Sequence, residues 1–247
     1  MSKRLDDFGD RMKAHERMFT DARIDSKKVM CVRIDGKRFS KFTRNCVKPF
    51  DTDLHEAMVK TTEYLVQETH AAIGYTQSDE ITLLFLPKEN KLSTHIFDGK
   101  VSKVNSVLAS MATAYFNYYV KPDVNVKFAG KGLALFDCRA WQVDDLVEAS
   151  NVLLWRIQDC RKNSVASAYR WIANEKITPC QTVMKSILKN KFDYDWDTEE
   201  DRWKYGSFVK RFTYVKDDVL RSKVDSFTIN QYYGDKSLED RILMLTS

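Results

Sequence analysis

Two short acidic segments have the residue types and surroundings for phosphoryl chemistry. Residues 29–34 (VMCVRI) form an apolar run that ends in Asp35-Gly36 and continues into Lys37, Arg38, Phe39 and Ser40. A carboxylate at the end of a buried strand can hold Mg²⁺, and the Gly36 carbonyl can add a second oxygen. Turn amides and neighbouring cations then suit a triphosphate. The second segment, Gln77-Ser78-Asp79-Glu80, places paired acids in a tight turn between two apolar runs. Either segment alone is ordinary, because Asp-Gly ends many strands and acids populate exposed hairpins. Together they supply the two carboxylates that phosphoryl transfer uses to place two Mg²⁺ ions a few ångströms apart.

Those segments need a scaffold that joins them. Leu5, Phe8, Met12 and Phe19 recur near helical spacing, so residues 5–24 read as an amphipathic helix. The apolar run at 29–34 reads as a strand. Residues 53–68 carry Leu54, Met58, Thr61 and Leu65 on one helical stripe, and residues 71–75 and 81–86 read as strands around the acidic turn. A second helix spans 101–119 through Val104, Leu108, Met111 and Tyr115, and a strand is expected at 133–136. The order is βαββαβ, the ferredoxin-like split unit, an α/β (α+β) fold. Its first and third strands are central, adjacent and antiparallel, so Asp35 should lie beside Asp79-Glu80. Helices are expected at 144–160, 163–174 and 181–189, and a strand at 207–215. The expected organisation is a catalytic core with its N-terminal helix at 1–140 and a helical extension at 141–247, packed as a single unit.

Bulk properties narrow the function class. The chain has 247 residues, 43% of them hydrophobic and 12% aromatic, enough for a sizeable core. Mean hydropathy is −0.46, and no apolar run approaches the roughly 18–20 residues needed to cross a bilayer. The polar, acid-containing N-terminus is unlike a secretory leader, so a cytoplasmic protein without a membrane partner is expected. Cysteines 31, 46, 138, 160 and 180 form no CxxC pair and read as reduced thiols, with Cys138 a small packed residue. The net charge of +5 permits an anionic partner without requiring one. Trp141, Trp155, Trp171, Trp196 and Trp203 read as core or interface residues.

The segments RIDGKRFSKFT, KPFD, GYTQSDEITLLF, FDCR and WRIQDCRKNS follow one another between about residues 29 and 163. In this order the set resembles the tRNA(His) guanylyltransferase family, whose patterns are close to RIDGRGFHKFS, KPND, AYGQSDEYSFVF, FDGR and WRQADCHINN. The resemblance implies a polymerase-like palm that builds RNA from 3′ to 5′ at the 5′ end of a tRNA. It assigns two Mg²⁺ ions to Asp35, Asp79 and the Gly36 carbonyl, with Glu80 supporting catalysis beside them. The nucleotide would meet the turn Asp35, Gly36, Lys37, Arg38, Phe39 and Ser40 together with Ser78 and Asp79. Lys48 and Asp51 are expected to help there, and Lys100 and Lys103 to take a second triphosphate. ATP would activate a 5′-monophosphate, GTP or another templated NTP would be added, and the assembly would be a homotetramer.

Two departures bear on specificity. Arg161-Lys162-Asn163-Ser164 stands where eukaryotic members carry HINN, and Asp53 replaces an arginine after KPND. The first resembles the branch of the family that repairs 5′-truncated tRNAs. Arg161, Lys162, Asn163 and Arg170 are the expected RNA contacts, the cations on phosphates. Two rivals share parts of this reading: a palm-type nucleotide cyclase and a non-catalytic RNA-binding module. Clustered Asp35, Asp79 and Glu80 argue against the second, since an idle site has no use for costly acids.

Overall fold

The computed structural model describes residues 2–88, 93–121, 125, 127–128, 132–175, 179–217 and 219–246, with side chains from Asp7 onward. Helix α1 (Ser2–Thr20) leads into strand β1 (Val29–Gly36), a single turn α2 (Phe39–Phe42) and helix α3 (Thr52–Thr69). The hairpin β2 (Ile73–Gln77) and β3 (Glu80–Phe85) follows, then helix α4 (Val101–Val120) and strand β4 (Phe136–Val143). This is the βαββαβ order expected. The remainder supplies α5 (Leu146–Ile172), α6 (Gln181–Phe192), α7 (Asp201–Tyr205), β5 (Ser207–Lys216), β6 (Val219–Phe227) and α8 (Leu238–Thr246).

The strands form one sheet in the order β4-β1-β3-β2-β5-β6, antiparallel throughout. Side chains alternate across a strand, and on β1 that alternation sorts the core. Met30, Val32 and Ile34 join the cluster formed with Met58 and Leu65 of α3 and Val104, Leu108 and Phe116 of α4. Val29 and Cys31 join the opposite cluster, with Ala149, Leu153 and Ile157 of α5 and with Phe208 and Tyr233. Asp35 continues the odd-numbered series, so it faces the α5 side. Helix α3 starts at Asp51, whose carboxylate accepts from the amides of Leu54 (2.9 Å) and Val47 (2.7 Å). The Lys127 ammonium lies 2.9 Å from that carboxylate and also contacts Asp53.

Three expectations from the sequence change. The strand expected at 133–136 begins at Phe136 and runs to Val143, across the 140/141 division, while Leu133 and Leu135 are exposed. β4 is an edge strand whose first half alternates Phe136, Cys138 and Ala140, packed on the α3–α4 side, with Asp137 and Arg139, so it shows no apolar run. The helices expected at 144–160 and 163–174 are one helix of 27 residues. The polar stretch Arg161–Ser164 is a turn of it, and Ser164 stays buried because its Oγ accepts from the Trp196 indole at 2.9 Å. The extension is also less helical than expected, because β5 pairs with β2, with Tyr75 opposite Phe208, and β6 pairs with β5. No helix among the described residues is long and apolar enough to cross a membrane.

Candidate active site

Asp35 lies opposite Glu80 of β3 on one side and opposite Asp137 of β4 on the other. Between β2 and β3 the chain turns in two residues, with Ser78 at φ +51° and its Oγ 3.1 Å from Asp79 Oδ1. The Gly36 amide donates to the Asp79 carbonyl at 3.1 Å, tying the end of β1 to this turn. A Cβ on Gly36 would stand 2.9 Å from Asp79 Oδ2 and 2.3 Å from the Phe39 ring. Glycine is therefore what lets the Asp79 carboxylate come against the backbone beside Asp35.

Charge in this cluster is poorly compensated. Burial, then the nearby Asp137, pushes the Asp35 carboxyl above its ordinary value, and burial, then Asp35, does the same to Asp79. Asp137 itself pairs with Arg139 at 3.3 Å. Burial pushes Glu80 up as well, but this acid has a cation bound to it. Arg156 of α5 grips both its oxygens, at 2.6 and 2.7 Å, and extends a further bond to Asp159 at 2.9 Å. Both partners are buried, so Glu80 is a held carboxylate and not a free base or metal ligand.

The turn after Gly36 exposes the side chains of Lys37, Arg38 and Ser40, while the Lys37 amide is taken by the Leu135 carbonyl at 2.8 Å. Phe39 is only 3% exposed and packs on Phe42, Phe116 and Phe136 at centroid distances of 5.3, 5.5 and 5.0 Å. Its ring builds the core, and only its backbone can face a nucleotide. Lys48 donates to the Thr43 carbonyl at 3.2 Å and stands 5.5 Å from the Trp171 ring. The next residue, Pro49, lines a pocket of about 130 Å³ with Phe50, Ser78, Asn163, Ser167 and Trp203. Asp51, one residue further, is spent on capping α3 and pairing Lys127.

The family model for tRNAHis guanylyltransferase matches residues 9–144, more than half of the chain. The chain belongs to the tRNA(His) guanylyltransferase family. It is 32% identical to an uncharacterised protein of Acanthamoeba polyphaga mimivirus, over 94% of this chain and 87% of that one. It is 26% identical to the tRNA(His) guanylyltransferase of Schizosaccharomyces pombe, over 79% of this chain and 77% of that one. A bacterial tRNA(His) guanylyltransferase-like protein solved with ATP shares 32% identity at a TM-score of 0.84, covering 97% of this chain and 99% of that one. The corresponding structure with GTP gives 29% and 0.75, covering 98% and 100%. As a member of this family the protein is a nucleotidyltransferase.

Within this guanylyltransferase fold, not every residue marked in the sequence reaches the carboxylates. Lys100 and Lys103 sit at the start of α4, where Lys100 bridges Arg23. The helix carries the chain back from the far end of β3 to the start of β4. Its later residues Thr113 and Asn117 are the ones that bond Phe136 and Ala134, at 3.2 and 2.8 Å. At 1.5 Å per residue, Lys103 is about 15 Å short of that end. The expected RNA residues also separate. Arg161 and Lys162 line an open groove with Trp155, Gln158 and Tyr232. Asn163 lines the Ser78 pocket, its amide donating to Asp159 at 3.1 Å. Arg170 is exposed about 12 Å further along α5 than Lys162.

Two site residues escaped the sequence reading, although both lie inside segments that carried the resemblance. Asp137 belongs to FDCR, and β-strand parity across from Asp35 would have singled it out. Arg156 belongs to WRIQDC, and nothing local tells that its partner is Glu80. The tryptophans divide too. Trp196 is 2% exposed, as a core residue should be, whereas Trp155 and Trp171 are 50% and 54% exposed and do not fill the core.

Proposed function

We propose that this guanylyltransferase-family enzyme adds GTP, or another templated NTP, to the 5′ end of tRNA, repairing truncated ends in the 3′-to-5′ direction. The observation that carries the reading is the apposition of Asp35 and Asp79 across Gly36, two half-buried acids raised in pKa with no ion pair to a cation among the described residues. Asp35, Asp79 and the Gly36 carbonyl would hold Mg²⁺, two ions per site. Hard oxygen donors suit that ion, which keeps several waters and phosphate ligands and so does not require a closed protein cage. No three His, Cys, Asp or Glu side chains converge as a cage among the described residues. When bound, the metal lowers the pKa of the attacking hydroxyl and neutralises charge on the triphosphate.

Two transfers complete the reaction. In the first, a 5′-phosphate oxygen of the RNA attacks the α-phosphorus of ATP and pyrophosphate leaves, giving a 5′-adenylylated end. In the second, the 3′-hydroxyl of the incoming NTP attacks the RNA 5′-phosphorus and AMP leaves. A 5′-triphosphorylated RNA omits the first transfer and releases pyrophosphate in the second. Lys37, Arg38 and Ser40 present cations and a hydroxyl to the phosphates. Ser78 orients Asp79, Arg156 keeps Glu80 fixed beside Asp35, and Lys48 immediately precedes Pro49 of the pocket next to Ser78. The active unit of this reading is a cytoplasmic homotetramer, and exposed Val215, Val219 and Leu220 at the β5–β6 tip offer apolar surface for subunit contact. Analytical ultracentrifugation tests that part.

Incubation with labelled GTP, with and without a 5′-truncated tRNA, tests the reaction. RNA-dependent label at the 5′ end is expected, with weak dependence on the anticodon, because Arg161-Lys162 replaces residues suited to reading base edges. Product from NTP alone would instead indicate a cyclase. A loss of about a hundred-fold on swapping the anticodon of truncated tRNA(His), about 2.7 kcal/mol at 1.36 per decade, would overturn the repair reading.

A further inference from the structure

The groove on the outer side of α5 holds side chains that the two transfers leave unused. Trp155 immediately precedes Arg156, the residue that holds Glu80, and half of its surface is open to solvent. Its ring lies 4.5 Å from the Arg156 guanidinium and 5.4 Å from that of Arg33. Arg33 stands two residues before Asp35 on the same face of β1, so the indole lies over the strand next to the metal-binding end. Further along the groove, Arg161 lies over the Tyr232 ring at 4.2 Å, and its buried Nε has no partner among the described residues. Lys162 beside it is exposed. Asp159, an acid in the lining, is already engaged by Arg156 and Asn163.

The contacts of Trp155 with Arg33 and Arg156 leave half of its surface open to solvent among cations. A flat π face followed by free positive charge is the arrangement that binds single-stranded nucleic acid, where bases stack and phosphates meet cations. A duplex offers such a base face only at its end. We propose that Trp155 stacks on an unpaired nucleobase at the acceptor end of the RNA substrate, with Arg161 and Lys162 taking the adjoining phosphates. This rests on the RNA reading above and assigns the platform that sets the RNA end beside Asp35 and Asp79.

The test is equilibrium binding of a 5′-truncated tRNA without NTP, on the full chain, for wild type, Trp155→Ala, Trp155→Phe and Tyr118→Ala. Tyr118 is an exposed aromatic on α4 and serves as the control. Trp155→Ala should weaken binding roughly 10–100-fold, the range for losing one stacked base. Trp155→Phe should stay within about threefold of wild type, and Tyr118→Ala should match wild type. A tRNA made abasic at its unpaired acceptor nucleotides should bind wild type and Trp155→Ala alike. In turnover, Trp155→Ala should raise KM for RNA and leave kcat at saturating RNA largely intact. Equal binding of intact tRNA by wild type and Trp155→Ala would overturn the platform, as would a deficit that persists on abasic RNA. A loss of binding of a fluorescent GTP analogue by Trp155→Ala would also overturn it, by showing that Trp155 acts through Arg156 and Glu80. Failure of wild type to extend the RNA at all would instead defeat the proposed function.

Discussion

Asp79 and Glu80 are neighbours in sequence, and the fold treats them in opposite ways. Glu80 enters β3, turns toward α5 and is gripped at both oxygens by Arg156, with both residues buried. Asp79 stays in the turn, where its carboxylate meets Gly36 and the field of Asp35; burial pushes all three carboxyls up in pKa, and what differs is that only Glu80 has a cation bound to it. A buried carboxylate is tolerated only with compensation. For Glu80 the chain supplies it; Asp35 and Asp79, half-buried and without an ion pair among the described residues, are the acids for which we propose a bound cation. The contrast separates a residue that shapes the site from residues that wait for a ligand.

The largest effect should come from removing a waiting acid. Asp35→Asn or Asp79→Asn should abolish nucleotide addition while the melting temperature at pH 7–8 holds or rises. The sign follows from the raised folded pKa. Wild type is favoured below the ordinary carboxylate value and loses that stability as pH rises through the folded value. The advantage of the Asn variants should therefore vanish as pH falls below about 4. Near-normal addition by either variant at ordinary Mg²⁺ would dissolve the distinction between the two neighbours.

Removing the internal cation should have the reverse signature. Arg156→Met leaves Glu80 buried and unpaired, which should cost about 3–5 kcal/mol of stability in chemical denaturation. The double variant Arg156→Met/Glu80→Met should recover most of that loss without recovering activity. An unchanged unfolding midpoint for Arg156→Met would mean that the pair is solvated in solution and does not hold Glu80.

A smaller effect is expected at the half-buried His55. Burial, with Arg202 adding repulsion, pushes it down to about 4, and its Nε2 lies 3.1 Å from the Ser207 hydroxyl. Between pH 6.5 and 4 the unfolded chain binds the extra proton, so this contribution to stability is lost as pH falls through that window. His55→Gln should show a shallower decline in denaturation midpoint over the same range, and equal slopes would refute a neutral buried imidazole. The smallest effect belongs to Lys103→Ala. Because α4 carries that residue away from the carboxylates, KM for NTP should change by less than about twofold, whereas Lys37→Ala at the turn should raise it by about tenfold, the loss of a charged hydrogen bond. A larger effect at Lys103 than at Lys37 would show that another part of the assembly brings Lys103 to the site.

Much of the core was legible from local pattern. The strand ending at Asp35, the hairpin around Ser78-Asp79, and the stripes of α3 and α4 each follow from periodicities of two or 3.6, which need no knowledge of distant partners. Topology then put Asp35 beside Glu80, because a split βαβ unit makes its first and third strands central neighbours. The tail was less readable. β5 looks like a strand locally, but whether it extends the sheet depends on the open edge of β2. Asp137 and Arg139, alternating with the core-facing residues in the first half of β4, masked its strand pattern, and the polar turn at Arg161–Ser164 looked like a gap because the partner of Ser164 is Trp196, 32 residues away.

Residue order alone therefore determined which acids exist, which elements carry them and which family the motifs resemble, since each follows from chemistry within a few residues. Tertiary structure decided which of those acids are compensated. Glu80 meets Arg156 across 76 positions, Asp137 joins through an edge strand, Lys103 is carried off by the direction of a helix, and Trp155 is left open because α5 buries only its other side. Burial and charge compensation are properties of what packs against a residue, and packing partners are fixed only when the sheet and α5 close on each other.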